Sequence, residues 1–312
     1  MNRSACAAFF ACTLFVFAWP ARAEMPEPFA VARVADGVYV HIGRQENASP
    51  ENRGDIANIG FVVGTRCVAV IDTGGTAAVG RALYASLRRI TTLPVCFVIN
   101  THVHPDHIFG NVAFVDSGTK FIGHARLSAA LAARGRSYLN AVKRDLGEVA
   151  AGTEVVAPNL EVDGETALDL GGRVLRLRAW RTAHTDDDLT VFDEKTGSLW
   201  LSDLLFVDRI PVLDGNLRGW LAVIAQLKTQ KPPRHVIPGH GPVDAPWPQA
   251  LAAQERYLDV LAAQVGTAIK DRRTMQQAVD SVGLDERGKW LLFDSFHRRN
   301  VTAAYAELEW ED

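Results

Sequence analysis

The run Thr101-His102-Val103-His104-Pro105-Asp106-His107 places three imidazoles and a carboxylate within six residues. Neutral imidazole nitrogen and carboxylate oxygen are the donors that a borderline cation such as Zn2+ prefers. Crowding unpaired polar groups into a buried loop costs free energy unless something binds them. The spacing therefore points to a metal site rather than to a chance surface cluster. His184, Asp203 and His240 extend the set. Each sits just past an apolar run: Arg173 to Trp180, Leu199 to Ser202, and Val236-Ile237. Loops leaving a rigid sheet are where binding and catalytic groups tend to be carried.

The elements that must position these donors are readable from apolar periodicity. Val95 to Ile99 is a β-rich run, so the histidine loop leaves the end of a buried strand. Val34 to Ile42 alternates like a strand, with Asp36-Gly37 as the turn before it. Ile59 to Val63 and Cys67 to Ile71 form a hairpin pattern, and Thr76 to Arg89 has helical spacing. Further on, Lys120 to Gly123 reads as a strand and Ala125 to Leu139 as a helix, while residues 140–160 carry little signal. Leu160 to Leu170 and Arg173 to Trp180 read as two strands around Gly171-Gly172. Leu189 to Phe192 and Ser198 to Ser202 read as a hairpin, Arg218 to Lys228 as an amphipathic helix, and His235 to Ile237 as a short strand. From Pro248 onward the pattern is helical. This order fits layered sheets with helices outside.

With 48% hydrophobic and 22% charged residues, the 312-residue chain has an ordinary globular composition. A net charge of −3 gives no basic footprint and argues against a nucleic-acid partner. Arg3, the apolar stretch Ala5 to Trp19 and Ala21-Arg22-Ala23 together read as a cleavable export signal. The stretch is short for a membrane span of ~20 residues. Cleavage after Ala23 leaves an exported protein with no membrane segment and a net charge of −5, since Arg3 and Arg22 are lost. A bacterial periplasm is the expected location. Cys6 and Cys12 leave with the signal, so Cys67 and Cys96 remain. Two buried apolar residues and one disulfide are equally compatible with them.

The motif H-x-H-x-D-H with His184, Ser202-Asp203, Gly239-His240-Gly241 and the upstream Asp72-Thr73-Gly74 resembles the metallo-β-lactamase superfamily over roughly residues 32–243. The resemblance implies an α/β fold, a four-layer αββα sandwich with a dinuclear zinc site at one edge. Residues 30–245 would form this domain and 246–312 a C-terminal helical extension packed on it. By position, His102, His104 and His184 would hold one zinc, Asp106, His107 and His240 the second, and Asp203 would bridge them. Asp72 would steady the histidine loop. The implied reaction uses a metal-bridging hydroxide on a small ester, thioester, lactone or lactam, with Asp106 and Asp203 orienting the nucleophile or receiving its proton. Asp203 stands where the true β-lactamases carry Cys or Ser, which argues against a lactamase label. If the fold places the strands of Cys67 and Cys96 side by side, one disulfide follows. Segments Ala179 to Leu189, Leu201 to Val207, Ile210 to Gly215 and Trp290 to Glu311 resemble the zinc metallohydrolases found with periplasmic quinoprotein dehydrogenase systems. That likeness implies a functional link to such a dehydrogenase.

Two other functions compete. A mononuclear iron dioxygenase acting on sulfur compounds could use the same donors. A non-catalytic periplasmic accessory protein would have no need of all seven. Among other residues, His124 reads as a polar strand end, His41 and His297 as structural, and His235 as remote from the site. Asp186-Asp187-Asp188 reads as a solvated turn, with an approach to the site beside His184 as the alternative. Phe109, Phe206 and the loop 43–55 are candidate cavity walls by position.

Overall fold

The computed structural model describes residues 27–310. The expected signal lies outside the described residues. Among those described, no helix is long and apolar enough to cross a membrane.

Seven strands form the first sheet, in sequence order: β1 (Ala32–Ala35), β2 (Val38–His41), β3 (Ile59–Val63), β4 (Val68–Ile71), β5 (Val95–Ile99), β6 (Lys120–His124) and β7 (Leu160–Val162). The second sheet has the order β12-β11-β10-β9-β8, with β8 Glu165–Asp169, β9 Val174–Ala179, β10 Leu189–Asp193, β11 Ser198–Phe206 and β12 His235–His240. Val40, Val62, Ile71 and Ile99 from the first sheet meet Leu177, Val191, Trp200 and Ile237 from the second in one buried cluster. On the outer face of the first sheet lies α1 (Ala77–Ile90), whose Val79, Leu83 and Leu87 recur every four residues and pack on Phe61, Val70 and Val98. Thr76 starts this helix by accepting from the Val79 amide. On the outer face of the second sheet, α4 (Leu217–Lys228), α5 (Ala252–Lys270), α6 (Met275–Val279) and α7 (Phe293–Leu308) bury Trp220, Tyr257, Leu261, Val279 and Val301 in one cluster with Leu204 and Phe206. The order of layers is helix, sheet, sheet, helix, as the resemblance implies.

Four local expectations need correction. Val34 to Ile42 is not one strand: the expected turn at Asp36-Gly37, where Gly37 has φ 67°, joins β1 and β2 in a hairpin. Leu160 to Leu170 is also two strands, and they belong to different sheets. The chain crosses between sheets at Asp163-Gly164, with Gly164 at φ 89°, a conformation that glycine adopts without steric cost. The helix after β6, α3 (Leu127–Leu146), runs past Leu139, because Tyr138, Leu139 and Val142 pack on Val103, Ile108 and Phe109. It stops at Gly147, with φ 61°. Asp203 lies inside β11, not beyond its end. The ladder to β12 slips around Ser202, which has φ 47°, and this bulge re-aims Asp203 while the strand continues.

Cys67 and Cys96 form a disulfide across the parallel pair β4 and β5, with Cα atoms 5.7 Å apart. The bond closes a loop between cysteines 29 residues apart, for which chain entropy gives a stabilisation of about 3–4 kcal/mol. Denatured, unreduced protein beginning at Glu24 should therefore titrate no free thiol. Cys67→Ser should lower unfolding stability by about that amount. Two titratable thiols would contradict the bond.

Candidate metal centre

All seven donors meet at one edge of the sandwich. The histidine loop follows β5, and its second half is a one-turn helix, α2 (Pro105–Ile108), with proline at its first position. Asp72, just after β4 and at φ 53°, holds the loop. Its Oδ1 accepts from the Thr101 amide (2.8 Å), and its Oδ2 accepts from Thr101 Oγ1 (2.7 Å) and His107 Nδ1 (2.8 Å). His184 comes from the loop after β9, Asp203 from the bulge in β11, and His240 from the last residue of β12, not from beyond it. Gly239 makes room for them: a Cβ there would lie 1.8 Å from Asp203 Oδ1.

The donor atoms fall into two sets, one of His102, His104, His184 and Asp203 and the other of Asp106, His107 and His240. Within each set they lie no more than 4.8 Å apart. Tetrahedral ligands at ~2.1 Å from a zinc ion are ~3.4 Å from each other. The observed separations bracket that value. His104 Nδ1 to His184 Nε2 is 3.0 Å, His184 Nε2 to Asp203 Oδ2 is 3.3 Å, and His240 Nε2 to Asp106 Oδ2 is 3.5 Å. Asp203 faces both sets. Its carboxylate is also 3.2 Å from His107 Nε2 and 3.4 Å from His240 Nε2.

A cation fits these residues. His102 Nε2, His107 Nε2 and Asp203 Oδ1 are buried with no hydrogen-bond partner among the described residues, and all three point into the cluster. Buried polar atoms are otherwise almost always satisfied. The other ring nitrogens have acceptors that fix each tautomer. His184 Nδ1 donates to the Val212 carbonyl (2.7 Å), His240 Nδ1 to the Ile56 carbonyl (2.7 Å), His107 Nδ1 to Asp72, and His104 Nε2 to Asp214 Oδ2 (3.0 Å).

The electrostatics favour positive charge at the centre of the cluster, with neutral rings beside it. Burial pushes the His184 ring down to about 3 and His102 well below its ordinary value, so both rings offer a lone pair at neutral pH. Burial also opposes the charge on His107, but Asp203, Asp72 and Asp106 face it and hold its pKa well above the ordinary value. Burial would raise Asp203, yet His240, His107 and His102 around it keep the carboxylate ionised.

A cavity of about 310 Å³ opens onto the donors. Asp106, Asp203 and His240 form its floor. Ile56, Val142, Leu146, Phe206 and Phe296 line its walls, together with Arg209 and Arg299. Phe206 and the loop 43–55, through Asn47, Ala48 and Gly54, line it as expected. Phe109 does not, because it is fully buried under α3. His124 is a strand end: its Nδ1 accepts from the Arg126 amide and its Nε2 meets the Trp180 carbonyl. His41 stacks on Phe29 and pairs with Asp55. His297 is bound between Tyr257 and the Val282 carbonyl, and His235 pairs with Asp244.

The acidic triplet is not a solvated turn. Asp187 and Asp188 are buried, with Asp187 accepting from the Val103 amide and Asp188 from the Thr185 amide and hydroxyl. Burial pushes Asp187 up to about 6. The reason is local: turned inward, the two carboxylates satisfy amides of two tight loops that both carry histidine donors. Sequence reasoning also missed Asn58, whose side-chain amide donates to the Pro238 and Gly241 carbonyls (2.9 Å each) and fixes the His240 loop. It missed Asp214 and Arg209 as well. Arg209 is buried, with its guanidinium 3.0 Å from the His240 ring and 5.5 Å from the Phe296 ring centre.

Comparison with known proteins agrees with this geometry. A family described as the metallo-beta-lactamase superfamily matches residues 52–243. A metallo-beta-lactamase from Pontibacter korlensis superposes with a TM-score of 0.58 and 19% identity, covering 74% of this chain and 98% of that one. A stereoselective inverting sec-alkylsulfatase from Pseudomonas sp. superposes with a TM-score of 0.71 and 16% identity, covering 89% of this chain and 50% of that one. A stretch of 60 residues, 19% of this chain, is 37% identical to the linear primary-alkylsulfatase of Pseudomonas sp. (strain ATCC 19151). The match spans 11% of that relative's length. The fold, the ordered motif and the convergent donors lead to one assignment: the chain belongs to the metallo-beta-lactamase superfamily.

Proposed function

We propose that the chain is an exported, dinuclear zinc hydrolase of a small ester, thioester or lactone. The observation that carries this reading is the pairing of two donor sets through Asp203, with three buried donor atoms that have no hydrogen-bond partner among the described residues. His102, His104 and His184 would hold one ion, and Asp106, His107 and His240 the other, with Asp203 between them. A single iron would leave one of the two sets uncompensated, which disfavours the dioxygenase reading. When bound, zinc supplies Lewis acidity and brings the pKa of water toward 7. The chain's own residues then do the rest. Asp106, on the cavity floor, is placed to take a proton from the attacking water. The apolar walls exclude solvent and receive an apolar part of the substrate. At about 310 Å³ the cavity suits a small molecule.

A second reading is supported by Arg209 and Arg299 among the largely apolar walls above the donors, and by the likeness to two alkylsulfatases. Guanidinium groups match the oxygens of a sulfate ester. An alkyl sulfate would then be the substrate. The likeness of segments 179–189, 201–207, 210–215 and 290–311 to the metallohydrolases of quinoprotein dehydrogenase systems supports a role beside such a dehydrogenase. Asp106→Asn alone should then abolish the dehydrogenase-linked growth that the wild type sustains. Undiminished growth would favour a non-catalytic accessory role.

One experiment tests the main reading. Protein from the exported fraction should begin at Glu24 and carry two zinc equivalents, falling to about one in His240→Ala. Assayed on thioesters, lactones, alkyl sulfates and a chromogenic cephalosporin, it should turn over an acyl substrate fastest and the cephalosporin slowly or not at all. A single tightly bound iron would overturn the zinc reading. Fastest turnover of the alkyl sulfate would select the second reading, and of the cephalosporin a lactamase.

A further inference from the structure

The ring partners of the histidines differ in one respect. His184 and His240 donate to backbone carbonyls, and His107 donates to Asp72 beneath the loop. His104 alone turns Nδ1 toward the cluster, and its Nε2 donates to a carboxylate carried on a distant loop, Asp214. That loop is held from two directions. The Asp214 amide donates to the His184 carbonyl (3.1 Å), and the Asn216 amide donates to the Ala183 carbonyl (2.8 Å). From the other side comes α7. Arg299 Nη2 donates to Asp214 Oδ1 (2.5 Å). The next residue, Asn300, accepts from the Leu213 amide (2.9 Å) and donates to the Pro211 carbonyl (2.7 Å). Glu307, two turns on, accepts from the Leu217 and Arg218 amides at the start of α4. Arg134 of α3 adds a longer contact to Asp214 Oδ2 (3.4 Å).

An ordinary exposed ion pair between Arg299 and Asp214 would have little effect. This one differs because the second oxygen of the same carboxylate is committed to His104. The carboxylate is therefore oriented, with one oxygen on the helix and one on the ring. The family match ends at residue 243, so Arg299 and the whole of α7 lie beyond it.

We propose that Asp214 is a positioning residue that aims Nδ1 of His104 into the metal centre. Arg299 sets Asp214 in turn, so that the C-terminal helix takes part in metal binding rather than only covering the sheet. The inference rests on the dinuclear reading above. Outer partners of this kind typically contribute 10–100-fold to metal affinity.

The test uses the full exported protein, stripped by chelation and titrated with Co2+ and Zn2+ against a chromophoric chelator. Asp214→Ala should weaken one of the two dissociation constants by about 10–100-fold and change the visible Co2+ spectrum, leaving the other constant within about threefold. Asp214→Asn keeps an acceptor for Nε2 and should recover most of the loss. Arg299→Ala should act in the same direction and more weakly. Because Arg299 acts through Asp214, the double variant should be no worse than Asp214→Ala. Thermal unfolding of each metal-free variant checks the fold. If Asp214→Ala does not fold, Asp214→Asn and Arg299→Ala decide, and wild-type constants in both overturn the proposal. Two ions in the wild type, with unchanged constants and Co2+ spectrum in folded Asp214→Ala, overturn this inference alone. A wild-type protein that takes no metal overturns the dinuclear reading and this inference together.

Discussion

Asp106→Asn, loaded with zinc, should turn over its substrate about 10²–10⁴-fold more slowly than the wild type, the loss expected when a positioned proton acceptor is removed. The side chain sits on the one-turn helix after His104, with Oδ2 3.5 Å from His240 Nε2 and 3.8 Å from His107 Nε2. Burial opposes its charge, while His107 and His240 favour it and leave its pKa below the ordinary carboxylate value. It therefore faces the cavity as an anion at neutral pH. Asparagine has the same shape and keeps one oxygen, so the loop should stay in place and the unfolding temperature should hardly move. The amide cannot take a proton and is a weaker ligand, so the second ion should also bind less tightly. Steady-state kinetics beside metal analysis separate the two effects. If turnover per bound pair of ions equals that of the wild type, Asp106 has no role in proton transfer.

Asp72→Ala should have the largest effect on stability, about 3–5 kcal/mol in urea unfolding of the metal-free protein. That is the cost of removing one partner from a buried charged network. Four groups face this carboxylate: the Thr101 amide, Thr101 Oγ1, His107 Nδ1 and Ser202 Oγ at 3.3 Å. All are buried, so no water replaces the lost acceptor. Alanine would also sit at φ 53°, an unfavourable region for a residue with no local hydrogen bond to offer. Such a loss is a large part of the ~5–15 kcal/mol that holds a typical domain together. Asp72→Asn tolerates the same backbone angle and keeps one acceptor, so it should lose less. Equal stability of Asp72→Ala and wild type would show that the histidine loop is held by its other contacts alone.

The donors were legible in the sequence because metal chemistry restricts residue type and local spacing together. His102 to His107 announce themselves within one turn of chain, and each remaining donor follows an apolar run. The residues that hold the donors were not legible, because their partners are distant in sequence. Nothing near Asp214 indicates Arg299, and nothing in Asp186-Asp187-Asp188 says that two of the three turn inward to accept loop amides. The layer architecture was recovered through a family likeness, but the crossing between sheets was not. Apolar residues on both sides of Gly164 read as one continuous strand, and only the φ of 89° at that glycine separates them.

That crossing has a consequence for assembly. Every strand before Gly164 belongs to one sheet and every strand after it to the other. Four of the seven donors, His102, His104, Asp106 and His107, precede the crossing, while His184, Asp203 and His240 follow it. Each donor set draws on both sides. A half-made chain thus presents no complete site, and an ion captured there would act as a rivet between two successively built halves. Because bound metal favours only the closed arrangement, each site filled at 100 times its dissociation constant adds about 2.7 kcal/mol to the cohesion of the sandwich. Ions held at this edge would fasten the two sheets together.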